Sequence, residues 1–335
     1  MIRAPANTFR VQKKTDKQAW RSSATTAALI KRAQCLRQIR EYFSGEGVLE
    51  VDTPLLMPFG APDPSLSNFS VQSPQESSGV LAGYLQTSPE FAMKRLLADG
   101  SGDIYQLGHA FRAEPPTQHH SPEFALLEWY RLGFDHHHLM DDVQALVAVI
   151  VPGLSFSRCR YKDVFAQRFD IDPHSASTDT LLERARDAGI ELGARESDRD
   201  LILDALFSDA CLRTTDRRDA MFVYDFPLEQ AAYARIAEGP PAVAQRFELL
   251  IGGLEIANGY FEVTDHAEQL RRHRIEKSRR EALGLPVVEV DPCFLEAMAS
   301  GLPECSGVAL GVDRLLMVVT ESASIQSTTS FSPYS

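Results

Sequence analysis

Two long apolar runs, DIYQLGHAFRAE (103–114) and EFALLEWYRLGFD (123–135), are separated only by PPTQHHSP. A connection that short has no room for a helical crossover, so the two strands must run antiparallel. MFVYDFP (221–227) and QRFELLIGGLEIANGYFEVTD (245–265) add further strands, again without a helix-length segment inside either run. VLEVDTPLL (48–56) alternates as a strand broken by Pro54, and YLQTS (84–88) reads as another. Helices fall between these groups. From Ala24 to Gly47, Leu29, Ile30, Ala33, Leu36, Ile39, Tyr42 and Phe43 recur at helical spacing. PEFAMKRLLADG (89–100), HHLMDDVQALVAVIV (137–151) and AEQLRRHRIEKSRREALG (267–284) are also helical, and residues 155–220 are mostly polar helix. SGVALGVDRLLMVVT (306–320) reads as a small-residue turn running into an apolar helix. Grouped strands with helices between them predict an α+β domain: an antiparallel sheet flanked by helices. GxGxxG and GxxxxGK[ST] are both absent, so any nucleotide is held without a Rossmann or P-loop cradle.

Composition narrows the function. The 335 residues are 44% hydrophobic, enough for a substantial core. A net charge of −12 argues against binding along nucleic acid, which needs a basic face. No apolar stretch reaches membrane-spanning length, and the polar N-terminus is no secretory signal. Five scattered cysteines without CxxC spacing point to reduced thiols and a cytoplasmic protein. His136, His137 and His138 point about 100° apart on a helix and cannot share one ion well. The basic helix 267–284 reads as a solvated face or, as the sharper hypothesis, a contact for an acidic protein partner.

Four places can carry chemistry. In FRAE, Arg112 and Glu114 share a strand face, with a guanidinium able to fork onto phosphate or carboxylate; the plain alternative is a surface ion pair. In GLEIANGYFE, Glu255 and Glu262 have odd spacing, so a bulge at Gly259 is needed to bring both to one cavity. There, with Asn258, they suit Mg²⁺ and a cationic group; the alternative is a half-exposed hairpin. Gly307 and Gly311 permit close approach of a ligand, and Arg314 stands at a helix start where the dipole disfavours it, either for an anion or as half of an Asp313–Arg314 pair. Glu90, in TSPEF, is a helix-start acid.

In this order, GVLEVDTPLL, FRAE with PEFALLEWY, and GVALGVDRLLM resemble the three signature motifs of class II aminoacyl-tRNA synthetases, from about residue 26 to about 320. TSPE, LEWY, FVYDFP and GLEIANGYFE are closest to lysyl-tRNA synthetases. Only about 25 residues precede the first motif, too few for an anticodon-binding domain. That arrangement resembles the truncated paralogues of the elongation factor P–(R)-β-lysine ligase family, as does Ala309, where lysyl-tRNA synthetases typically have Gly. The implied organisation is a flexible lead-in (1–23), a class II catalytic domain (24–322) and a tail (323–335).

The resemblance implies ATP-dependent activation of (R)-β-lysine as an acyl-adenylate and transfer to a lysine of elongation factor P, by a homodimer that charges no tRNA. The alternatives are an α-lysine-activating or lysyl-tRNA synthetase-like enzyme and an inactive regulatory paralogue. Arg112 would bind the α-phosphate, Glu114 the adenine amino group, Phe124 the adenine ring and His120 the outer phosphates, with Ala113 and Ser121 beside them. Arg314 would clamp ATP, Gly311 giving it room, and Glu255 with the Ile256 backbone would hold Mg²⁺ and ATP. Ser88, Pro89, Glu90, Tyr130, Asn258, Glu262 and Ala309 would form the lysine pocket. Gln118-His119 replaces the arginine usual in the motif 2 loop, and Ser121 a frequent asparagine, which leaves open whether His119, His120 or neither stands in for it at the phosphates.

Overall fold

The computed structural model describes residues 20–73, 81–193, 198–212 and 216–332. Most of the lead-in, part of the connection over 58–82 and the end of the tail lie outside them. The chain opens with α1 (Thr26–Gly45), capped by Thr25, whose hydroxyl accepts from the Ala28 amide at 3.1 Å. The next segment is not one continuous strand. Around Pro54 the backbone forms only β1 (Leu49–Glu50) and β2 (Leu56–Met57), in two different sheets. Then come β3 (Ser70–Gln72), β4 (Leu81–Leu85), α2 (Glu90–Ala98), β5 (Ile104–Phe111) and β6 (Glu123–Leu132). After α3 (His136–Ile150), the stretch expected to be helical opens with β7 (Ser155–Arg160) before α4 (Tyr161–Phe169), α5 (Thr178–Asp187) and α6 (Arg199–Leu212). Its polar composition fits an end strand with one neighbour, β8 (Asp219–Phe226). The chain ends with β9 (Ile236–Ala237), β10 (Val243–Ile251), β11 (Leu254–Phe261), α7 (His266–Ala282), α8 (Pro292–Gly301), β12 (Cys305–Gly311) and α9 (Val312–Thr320).

Among the described residues the main sheet runs β1-β5-β6-β12-β11-β10-β8-β7, with β9 on β10. Its central pairs are antiparallel; β1–β5 and β7–β8, at the two ends, are parallel. Gly252 and Gly253, both at positive φ (56° and 79°), turn β10 directly into β11. β12 lies at the centre of the sheet, where the sequence predicted a turn. Its Gly307, Ala309 and Gly311 line a cavity, while Val308 and Leu310 enter the core on the other face.

One sheet face buries Leu127, Trp129, Val308 and Leu310 against α1, α3 and α9. Burial of each such side chain contributes roughly 1.5–3 kcal/mol. Trp129 has no exposed surface, and its indole N–H donates to Asp142 at 3.1 Å. A second core joins α4, α5 and α6 to β8, and a third joins α2 to α8. The opposite face of the central strands is left for a cavity.

Candidate active site

Directly opposed residues on neighbouring strands share a sheet face. Glu128, Ala309, Asn258 and Glu248 therefore form one row across β6, β12, β11 and β10, and Tyr130, Gly307, Tyr260 and Arg246 form the next. All of these but Glu248 floor a cavity of about 750 Å³. Ser88, Glu90, Arg112, Glu114, His119, His120, Ser121, Phe124, Glu255, Ile256, Glu262, Gly311 and Arg314 also line it. Two expected site residues do not. Pro89 is spent as the cap position of α2, and the Ala113 amide is turned onto the Ser67 carbonyl at 2.8 Å. Glu255 and Glu262 do reach one cavity, but Gly259 is not the reason. The extra residue is Ile256: Leu249 opposes Ala257, while Leu250 opposes Glu255. Gly259 instead packs on the Phe247 ring, where a Cβ would lie 2.5 Å away.

One end of the cavity is acidic. Lys94, 1% exposed, holds Glu90 Oε1 at 2.6 Å and Glu262 Oε2 at 2.7 Å, 4.9 Å from the Tyr233 ring centroid. Burial alone would lower its ammonium, but Glu262 and Glu90 more than offset this and the pKa is raised. Lys94 therefore stays charged. Burial, with Glu90 and Glu128 nearby, pushes the Glu262 carboxyl upward against the pull of Lys94. Glu128 accepts from the Ser88 hydroxyl at 2.6 Å and from the Tyr130 hydroxyl at 2.9 Å. Burial, then Glu90, raises its carboxyl to about 7. A Cβ on Gly307 would lie 2.3 Å from Tyr130 and 2.6 Å from Glu262, so only glycine lets them converge. Glu90 and Glu262 thus share one resident lysine and Glu128 lies within its electrostatic reach, an arrangement with carboxylate to spare for further positive charge. Lys94, Glu128 and Tyr233 carry no such signal in the sequence: a lysine on an amphipathic helix reads as solvent-facing.

The other end is cationic. Arg112 and Glu114 lie just past the end of β5, not on it. Among the described residues no ion pair joins them, which removes the plain alternative. The Arg112 guanidinium sits 5.2 Å from the Phe124 ring centroid, with its Nε buried and without a partner. Arg314, in the first turn of α9, donates to the Glu255 carbonyl and carboxylate, both at 3.0 Å, and to His120 Nε2 at 2.7 Å. It is not paired with Asp313. That buried carboxylate takes Arg32 of α1 at 2.5 Å and the Ala125 amide of β6 at 2.7 Å, tying α1, α9 and β6 together. A guanidinium has no lone pair, so His120 Nε2 must accept and its proton rests on Nδ1, toward Thr117 Oγ1 at 2.9 Å. Burial, then Arg314, lowers both the His119 and His120 imidazoles, so both stay neutral. The tail contributes as well. Gln118 donates to the Ala323 carbonyl, Gln326 donates to the Thr117 carbonyl, and buried Ile325 lines the cavity.

Comparison with known proteins agrees with this architecture. Residues 10–334 match the family described as tRNA synthetases class II (D, K and N). A protein of Avibacterium paragallinarum named elongation factor P–(R)-β-lysine ligase is 43% identical over 316 residues, 93% of this chain and 97% of its own. Proteins of the same name from Vibrio cholerae (42% over 315 residues, 93% and 97%) and Yersinia enterocolitica (43% over 303 residues, 90% and 93%) match similarly. The chain belongs to the class II tRNA synthetase family, among the relatives that carry the ligase name.

Proposed function

We propose that this protein is an ATP-dependent, AMP-forming ligase that activates (R)-β-lysine as an acyl-adenylate and transfers it to a lysine side chain of elongation factor P. The observation that carries the reading is one cavity lined by two opposite kinds of charge: Glu90 and Glu262 paired on Lys94 with Glu128 nearby, and Arg112 with Arg314. The names of the relatives supply the substrate and the acceptor.

Glu90, Glu128 and Glu262 would take the two ammonium groups of the amino acid, helped by Asn258 and Tyr130. That leaves its carboxylate facing the arginines. Ala309 lies between Glu128 and Asn258, so its methyl group sets the space available beside both. Phe124 would stack on adenine and Glu114 would accept from its amino group. The carboxylate oxygen forms a bond to the α-phosphorus, and the bond to pyrophosphate breaks. Arg112 and Arg314 offset the charge that builds there. The acceptor ε-amine then attacks the acyl carbon, loses a proton and expels AMP. No enzyme nucleophile is needed; positioning does the work. Glu255 is half-exposed and partnered only by Arg314 among the described residues, which fits Mg²⁺ held through one carboxylate plus nucleotide phosphates. When bound, Mg²⁺ would neutralise phosphate charge. His120 would hold Arg314 in place as a neutral acceptor.

The same reading proposes a cytoplasmic homodimer that charges no tRNA. Ile30 near the start of α1 and Leu49 on β1, beyond the end of that helix, are 54% and 55% exposed, two apolar side chains that a second copy would cover. Among the described residues no helix is long and apolar enough to cross a membrane. The test is ATP–pyrophosphate exchange with (R)-β-lysine and with α-lysine. Faster exchange with the β isomer, without stable tRNA charging, is expected. Absence of exchange with every lysine isomer would sink the enzyme reading.

A further inference from the structure

The basic helix α7 divides into two faces that do different work. Arg272 and Arg280 are buried pins. Arg272 donates to the Ala232 and Ala234 carbonyls at 2.5 and 2.8 Å, and Arg280 to the Asp63 carbonyl at 2.8 Å. Arg272 is therefore no part of a charged surface. The outward face is a stripe at helical spacing: Arg271, Arg274, Ile275, Ser278, Arg279 and Ala282, all exposed. It runs about 17 Å along the helix.

These six residues form a shallow groove of their own, and Arg271, Ile275 and Arg279 also line the mouth of the catalytic cavity. The stripe is thus continuous with the entrance. Two of its charges are partly engaged: Arg271 is forked on Glu268 at 2.7 and 2.8 Å, and Arg279 lies 3.6 Å from Asp200. Arg274 has no ion-pair partner among the described residues. Ile275, 42% exposed, places an apolar side chain between the cations. A positive ridge at the cavity mouth of a chain of net charge −12 is complementary to an acidic partner, and its apolar centre favours a protein surface over a phosphate backbone.

We propose that this stripe docks an acidic face of the protein acceptor next to its target lysine, steering that lysine into the cavity. The inference rests on the ligase reading, because only a macromolecular acceptor needs a surface outside the cavity. A lysine side chain deep enough to meet an adenylate draws its own backbone to the cavity mouth. The protein that carries it must then lie against whatever rims that mouth.

The test uses Arg274→Glu with Ser278→Glu, both outside the cavity lining, and Arg274→Gln as a milder second variant. Binding of purified elongation factor P to each full-length protein is measured directly at low and high salt, with pyrophosphate exchange followed in parallel. The expected result is about tenfold weaker binding for the double variant at low salt, a difference that shrinks at high salt, with exchange unchanged. The glutamine variant should fall between. Equal binding by all three proteins at low salt overturns the proposal. So does a loss confined to tRNA retention, which would make the stripe a nucleic-acid contact. Failure of exchange in the unmodified protein would count against the ligase chemistry, while the binding result would still judge the docking surface.

Discussion

The two ends of the cavity are built by opposite strategies. The acidic end stands on adjacent strand rows and on α2, is almost fully buried, and carries its own counter-ion in Lys94. The cationic end stands beyond the end of β5 and at the start of α9. Its arginines are partly exposed and held by a loop that is itself tied to the tail. A small dication must be desolvated to be recognised, which needs a rigid, paired site. A triphosphate arrives with its own charge and must leave as two products, which suits side chains that can reposition. The contrast predicts that damage to the acidic end is felt first in stability and amino-acid affinity, and damage to the cationic end in rate.

Lys94→Met should have the largest effect. It leaves buried Glu262 and partly buried Glu90 facing each other without their counter-ion, and removing one partner of a buried pair costs about 3–5 kcal/mol. Chemical denaturation should show that loss; an unchanged midpoint would mean that Lys94 is no counter-ion. Next come Arg112→Ala and Arg314→Ala, expected to slow exchange about 10²–10³-fold with little change in denaturation midpoint. Gly307→Ala follows. Overpacking against Tyr130 and Glu262 is expected to cost about 1–3 kcal/mol, seen mainly as a raised KM for the amino acid.

The smallest effect is in pH. Glu128 titrates at about 7 in the free protein, raised by burial and then by Glu90. Below that value binding a dication must first expel a proton, so KM for the amino acid should rise toward tenfold per unit as pH falls. Glu128→Gln should raise KM and flatten the profile. The stability sign is the reverse. A carboxyl raised in the folded state contributes stability at low pH that is lost as pH rises through about 7, so the free protein loses this contribution while ligand binding gains.

Much of this was legible in the sequence, and the rest failed for identifiable reasons. The β5–β6 and β10–β11 pairs were readable because each is joined by a short connection. Arg112, Glu114, Glu255 and Glu262 stood out because charge in an apolar setting is unusual, and Arg314 because a cation at a helix start opposes the dipole. β12 was missed because four of its seven residues, Ser306, Gly307, Ala309 and Gly311, are small, and smallness also marks turns; its signal was alternation of small and large from Gly307 to Gly311. β7 was missed because only one side of it is paired. Lys94 and Glu128 were invisible as site residues, since their burial is set by partners distant in sequence. Arg272 failed the other way: its charge read as surface, while its guanidinium is spent on backbone carbonyls.

The most direct test of the central claim is the intact mass of elongation factor P after incubation with this protein, ATP and (R)-β-lysine. Elongation factor P should gain one β-lysyl group, dependent on ATP and lost in Arg112→Ala. An unmodified elongation factor P, from a preparation that exchanges pyrophosphate and charges tRNA with α-lysine, would contradict it.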